Sequence, residues 1–260
     1  MRLWDAVFRA SQTFMQERGS LFFDLPITTR MISSPGALTG TIPSDVDPFS
    51  INFFEFKTFL TQSSQLYLEF AITNPDVQSV YCWEKSFRRE PADYRHLPEF
   101  THIEWEGNVS FDDNLAFQEA YFKSLIGALL RERKSDLEVF LDETAIRSLT
   151  ELEASPAFPR ITFHEAFRFL RERTGDAKYD VPSIATFGAR EEVLLTEIVG
   201  KPVFVTRYIG DEVAFYHAPD PEHPELVMNA DFLFPGYGEL IGSGERVHSL
   251  EATRAKAEHF

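Results

Sequence analysis

Two short runs set the side chains of a nucleotide site close together: Phe87-Arg88-Arg89-Glu90 and, after a polar loop, Arg95-His96-Leu97-Pro98-Glu99-Phe100. Read as two antiparallel strands, they put Arg88 and Glu90 on one face, because residues two apart on a strand project together. Arg95 and His96 then bracket the turn. The face offers a guanidinium fork for phosphate, a carboxylate to accept from an exocyclic amine and, in Phe100, an aromatic surface for a flat ring. Those are the groups an ATP site needs.

Further polar residues stand at spacings that matter. Asp231 and Glu239 are eight apart across a Pro235-Gly236 turn. Two carboxylates converging on triphosphate oxygens suit magnesium, with water in the other positions; a hairpin with exposed charges is the alternative. Thr61 to Glu69 opens a helix expected to run to about Asn74. Its Ser and Gln residues can serve simply as caps, and Glu69 alone reads as a solvated helix charge. On the strand Glu99–Glu106, His102, Glu104 and Glu106 share one face and Thr101, Ile103 and Trp105 the other. The polar face is either the wet side of a sheet or a pocket wall. A histidine beside two acids also suggests zinc, but third and fourth ligands are not evident.

The elements that must hold these residues are legible in outline. Residues 3–18 read as an amphipathic helix ended by Gly19. Leu21–Ile27 reads as a strand interrupted by Pro26, which suits an edge or an interface. Residues 32–50 lack an apolar period and read as a long loop, of the kind that forms a lid over a site. Phe53–Leu60, Val77–Phe87 and Lys201–Thr206 read as strands. Phe111–Arg133 and Asp136–Leu149 read as two helices, and Leu250–Phe260 as a last one.

Composition narrows the setting. With 260 residues and 43% hydrophobic content, the chain can bury a sizeable core. The formal charge of −16 opposes phosphate backbones, so nucleic acid would need a local basic patch, and none is visible in the sequence. The single Cys82 excludes a disulfide framework and a cysteine-rich zinc site. It falls in an apolar strand, where a buried thiol is expected. No apolar run reaches membrane-spanning length and no signal peptide opens the chain, so a cytoplasmic protein without membrane contact is expected.

Phe87-Arg88-Arg89-Glu90 with Arg95-His96-Leu97-Pro98-Glu99-Phe100 resembles motif 2 of the class II aminoacyl-tRNA synthetases, in the Asp/Asn/Lys subgroup. Arg18-Gly19 followed by Pro26 resembles motif 1, which in that family forms a dimer interface. Gln62-Ser63-Ser64-Gln65-Leu66 resembles the segment whose second glutamine touches the amino acid. Leu68-Glu69 follows the asparaginyl pattern, where aspartyl-type enzymes carry Lys-Gln. A glutamate accepts from a side-chain amide and repels a carboxylate. Arg160-Ile161-Thr162-Phe163-His164-Glu165-Ala166 resembles the family's Arg-Ile-x-Tyr-x-Glu-Ala helix entry, with Phe163 in place of tyrosine. Pro235-Gly236-Tyr237-Gly238-Glu239, with Arg246 seven residues on, resembles the segment that carries a metal carboxylate and an arginine for the substrate's side-chain carbonyl. Gly242-Ser243-Gly244 and Arg246-Val247-His248 lean instead toward the aspartyl pattern.

The resemblance implies an α/β (α+β) fold of one catalytic domain over residues 1–260, an antiparallel sheet flanked by helices, dimeric through Gly19 to Pro26. It implies activation of asparagine by ATP and magnesium as asparaginyl-adenylate. Arg88 would be the catalytic residue on the α-phosphate. Glu90 would take the adenine amine, His96 the outer phosphates and Phe100 the adenine ring, with Arg95 also binding ATP. Asp231 and Glu239 would hold magnesium, with Glu239 also on ATP. Gln65, Glu69, His102, Glu104 and Arg246 would hold the amino acid. The family's motif 3 and anticodon-binding barrel have no counterpart in residues 1–260, so an incomplete core is expected, with tRNA a doubtful acceptor for this stretch alone. An ammonia-using asparagine synthetase acting on aspartate is an alternative that Leu68, in place of lysine, opposes. A non-catalytic module binding an amino acid or ATP is the other.

Overall fold

The computed structural model describes residues 1–33, 48–89, 92 and 94–260. In chain order its elements are α1 (Arg2–Glu17), β1 (Leu21–Phe22), β2 (Thr28–Thr29), β3 (Ser50–Phe53), β4 (Phe56–Leu60), α2 (Gln65–Ala71), β5 (Ser79–Phe87) and β6 (Glu99–Gly107). There follow α3 (Phe111–Leu137), α4 (Glu143–Glu153), β7 (Arg160–Thr162), α5 (Phe163–Thr174), α6 (Ala189–Val199), β8 (Val203–Thr206), β9 (Asn229–Phe234), β10 (Gly238–Gly244) and α7 (Leu250–His259). The strands form sheets in the orders β1-β5-β6, β10-β9-β8-β7 and β2-β4-β3. β1–β5 and β7–β8 pair parallel, while β2–β4, β3–β4, β8–β9 and β9–β10 pair antiparallel. This is the mixed α/β architecture that the sequence implied. No helix among the described residues is long and apolar enough to cross a membrane.

The chain divides into two compact units. The first comprises Met1–Phe23, Tyr67–Cys82 and Glu104–Phe158. Here α1 packs on α3: Phe14 meets Phe117 and Tyr121 edge to face at 5.3 Å each, and Ser11 Oγ lies 2.8 Å from the Tyr121 hydroxyl. Trp105 stacks on Phe117 at 4.0 Å and donates to Ser20 Oγ. Aromatic pairs of this kind add specific geometry to apolar burial.

The second unit comprises Asp24–Leu66, Trp83–Ile103 and Pro159–Phe260. Its core gathers Phe163, Phe167, Leu170, Phe187, Leu195, Val203, Val205, Tyr208 and Leu233. Phe163 stacks on Tyr208 at 4.4 Å. α5 starts on a capping box, with Thr162 and Glu165 each holding the other's backbone N–H. That fixes the Arg160–Ala166 helix entry.

Several boundaries move from the sequence-based expectation, each for a local reason. The strand expected at Leu21–Ile27 is two two-residue strands, β1 and β2, because Pro26 between them can donate no ladder hydrogen bond. The helix expected from Thr61 begins at Gln65. Thr61 Oγ1 donates to the Ser63 carbonyl and Ser63 Oγ accepts from the Gln65 N–H, so the hydroxyls compete with helical bonding. β5 ends at Phe87 and β6 starts at Glu99, which leaves Arg88 and Arg95 to Pro98 in the connection rather than on strands. Arg88 N–H still donates to the Pro98 carbonyl, but Pro98 has no N–H to return the bond. The helix expected at Asp136–Leu149 is α4, which starts after Asp142; that side chain accepts from Ala145 N–H at 2.8 Å. α3 runs on to Leu137, with a kink at Arg133. Most of the expected lid loop, residues 34–47, lies outside the described residues, as does Glu90.

Candidate functional site: a nucleotide and amino-acid site

The second unit brings together most of the residues singled out by type and spacing. Arg88, half-buried just past β5, sets its guanidinium 5.5 Å from the Phe100 ring centroid. Its Nε is buried with no hydrogen-bond partner among the described residues. A buried donor of this kind is costly unless something accepts from it. Phe100 also meets the His102 ring edge to face at 5.1 Å, as same-face neighbours on β6 should. His102 Nδ1 lies 3.0 Å from Ser86 Oγ on the adjacent strand. His96 is half-buried in the connection between β5 and β6.

Arg95 lies in the same connection but is already engaged. Its Nη1 donates to Glu192 Oε2 at 2.7 Å and to the Tyr237 carbonyl at 2.9 Å. Burial works against its charge, but Glu192, then Tyr94 and Glu239, hold its pKa above the usual arginine value.

The two carboxylates meet because of an irregularity in the sheet. Asp231 pairs with Gly242 and Leu233 with Glu239, and the register shifts between Glu239 and Ile241. Leu240 is thus an extra residue, a β-bulge. Were Leu240 paired in regular register, Glu239 would fall opposite Phe234 and project from the other face; with the bulge it shares the face of Asp231. A Cβ on Gly242 would stand 2.7 Å from Glu239 Oε1 and 3.7 Å from Asp231 Oδ1, so the glycine leaves open the space on which both carboxylates converge. Burial pushes the Asp231 carboxyl well above the usual range, and Glu239 and Glu192 push the same way; the Tyr208 hydroxyl pulls against them. Burial and then Asp231 raise Tyr208 in turn.

A second cluster joins residues far apart in sequence. Gln65, the first residue of α2, accepts at Oε1 from Arg246 Nη2 at 2.6 Å, across 181 residues of chain. Its Nε2 donates to the Ser33 carbonyl at 2.6 Å and lies 3.2 Å from the Tyr216 hydroxyl. Arg246 sits over the Tyr216 ring at 4.2 Å, a cation–π contact. Backbone bonds hold this corner: Val247 N–H to Tyr216 carbonyl and Ala218 N–H to Glu245 carbonyl. Burial, then Arg246 and Lys256, keeps His217 well below the usual histidine pKa, so it is neutral beside the guanidinium.

Glu69 and Glu104 belong to the first unit. Glu69 follows Gln65 by one helical turn along α2 and is half-buried. Glu104 Oε2 accepts weakly from the buried Cys82 thiol at 3.8 Å.

Two residues of the site escaped sequence reasoning. Glu192 looked like one more helix charge among the acids that open α6, and Tyr216 stood in a short apolar run without a motif. An arginine that folding nearly buries demands an acceptor; which of 41 acids supplies it is a tertiary fact.

The family model described as tRNA synthetases class II (D, K and N) matches residues 1–259. An asparagine–tRNA ligase of Thermus thermophilus is 38% identical over 268 aligned positions, taking in all of this chain and 58% of that protein. The asparagine–tRNA ligase of Pelotomaculum thermopropionicum is 36% identical, over 98% of this chain and 56% of its own length. Among solved structures, asparaginyl-tRNA synthetase from Pyrococcus horikoshii complexed with asparaginyl-adenylate superposes with a TM-score of 0.87 at 29% identity, covering 100% of this chain and 56% of that one. The Entamoeba histolytica asparaginyl-tRNA synthetase complex with asparaginyl-adenylate shares the fold, with a TM-score of 0.81 at 23% identity. The chain thus spans a little over half the length of the relatives it matches. It belongs to the class II tRNA synthetases of the aspartate, lysine and asparagine group.

Proposed function

We propose that residues 1–260 serve as a catalytic domain that activates asparagine with ATP, forming asparaginyl-adenylate, with tRNA as the eventual acceptor. The observation that carries the reading is the Gln65–Arg246 bond over Tyr216. It unites two segments that resemblance alone assigned to the amino acid. The relatives' names and the adenylate bound in the Pyrococcus complex support the same choice.

In this reading the asparagine α-carboxylate oxygen attacks the α-phosphorus of ATP. A new P–O bond forms as the bond to the bridging oxygen breaks, and pyrophosphate leaves with the electron pair. The nucleophile is already ionised, so no general base is required. Positioning and charge compensation do the work. Arg88 donates to the α-phosphate as charge builds there, and Phe100 carries the adenine ring. Glu90 takes the adenine amine, while Arg95 and His96 face the outer phosphates. Gln65 and Arg246 orient the amino acid, with His102 and Glu104 in the same role. Glu69 selects an amide, because a carboxylate would be repelled.

Asp231 and Glu239 fit magnesium: two carboxylates share a face around an open glycine, and their mutual repulsion is what a divalent cation relieves. Among the described residues no group of three or more His, Cys, Asp or Glu could hold a metal ion. Bound there, magnesium would neutralise phosphate charge. We also propose a homodimer formed through Gly19 to Pro26, where Leu21 and Phe22 are half exposed at the edge strand β1.

The reading is tested by incubating the protein with ATP, magnesium and either asparagine or aspartate, and looking for the adenylate by mass spectrometry. Asparaginyl-adenylate without its aspartyl counterpart is expected. Aspartyl-adenylate alone would overturn the amide assignment of Glu69, and free asparagine formed from aspartate and ammonia would establish the synthetase alternative.

A further inference from the structure

The Arg95–Glu192 pair does more than neutralise charge. Glu192 Oε2 accepts from Arg95 Nη1 at 2.7 Å and from the Glu239 backbone N–H at 3.0 Å. Arg95 Nη1 also donates to the Tyr237 carbonyl, two residues before Glu239 in sequence. One carboxylate oxygen and one guanidinium nitrogen thus lace the connection between β5 and β6 to the turn between β9 and β10. Both side chains are nearly buried, at 9% and 12% exposure, so screening by water is weak. Gly238 is built for this contact. It holds φ +93°, and a Cβ there would collide with Arg95 Nη1 and Glu192 Oε2.

We propose that Glu192 is a positioning residue for the nucleotide, fixing Arg95 and the Glu239 backbone in one arrangement. The inference rests on the nucleotide reading of this site and extends it to a residue on α6 that no motif marks. An arginine on a connection without strand pairing would otherwise sample many rotamers, and ordering it on ligand binding costs affinity. Paired in advance, Arg95 and Glu239 meet the triphosphate already placed. Pairing also silences the Glu192 charge, which would repel phosphate if left bare.

The test is direct binding of MgATP by calorimetry to the full chain and to Glu192→Ala, Glu192→Gln, Arg95→Ala and the Glu192→Ala/Arg95→Ala double variant, with melting curves on each. Glu192→Ala should weaken MgATP on the order of tenfold, the scale of losing a charged hydrogen bond. Glu192→Gln, which keeps an acceptor oxygen, should recover part of that loss. Asparagine affinity should not move. The double variant should be little worse than either single one, since both remove the same link. Wild type that fails to bind MgATP would refute the nucleotide reading itself. Wild type that binds, with Glu192→Ala folded and equal or tighter, or with additive losses, would refute the positioning role alone.

Discussion

Arg246 and Asp231 carry their meaning through what surrounds them. Arg246 is held over Tyr216 while it donates to Gln65, so its fork is aimed before any ligand arrives. Arg246→Ala should lower kcat/KM for asparagine by roughly 10- to 100-fold in adenylate formation, the value of a charged hydrogen bond. KM for ATP should change little. A fall confined to the ATP term would contradict the assignment. Asp231 makes a different prediction because burial and Glu239 raise its pKa. A group raised in the folded state favours folding fully below its ordinary value of about 3.9, and that contribution is lost as pH climbs through the raised value. At pH 7 to 8 without metal, Asp231 with its raised pKa therefore costs stability. Asp231→Asn should melt higher than wild type there by a few degrees, about the shift expected from a modest stability gain. The gap should close as pH is lowered toward 4. Equal melting at pH 8 in a metal chelator would contradict the repulsion. The arginines and carboxylates of the site were legible as types at spacings, since motif chemistry is local. Their partners were not: Glu192 and Tyr216 enter only when distant segments fold together.

β10 shows why an element must be read with its defects. The alternation of a regular strand would separate Asp231 and Glu239 onto opposite faces, and the bulge at Leu240 reunites them. Glu239→Ala, which keeps the bulge but removes the carboxylate it aims, should reduce adenylate formation by about 100-fold or more, the scale of losing a group that helps stabilise transferring phosphate, with circular dichroism unchanged. Retained activity in that variant would show that Glu239 has no part in the site. The eight-residue spacing was visible in sequence, but the bulge was not, because a bulge is set by what pairs across the sheet. The first helix was read well because its apolar stripe ends at Gly19, as α1 does to within a residue or two. Boundaries slipped where hydroxyls or proline competed with regular bonding, as at Thr61 to Ser64 and Pro26. Arg88 and Arg95 were assigned to strands because a period of two is easily satisfied by a few residues; the strands stop at Phe87 and restart at Glu99.

At the scale of the molecule, a chain of formal charge −16 takes a polyanionic substrate only where cations are concentrated. In the proposed reading Arg88 and Arg95 meet that need within the second unit. The first unit leaves Leu21 and Phe22 half exposed at a two-residue edge strand, with Phe22 meeting Tyr81 at 5.5 Å. Unpaired apolar edges call for a cover. In the proposed homodimer, Phe22→Asp should shift the chain from dimer to monomer in sedimentation experiments, and an unchanged mass would contradict an interface at this edge. The proposed activation of asparagine by this domain is tested by ATP–pyrophosphate exchange with magnesium, run with asparagine and aspartate side by side. Exchange driven by asparagine and not by aspartate is the predicted result. A folded protein that exchanges with neither amino acid would contradict the account.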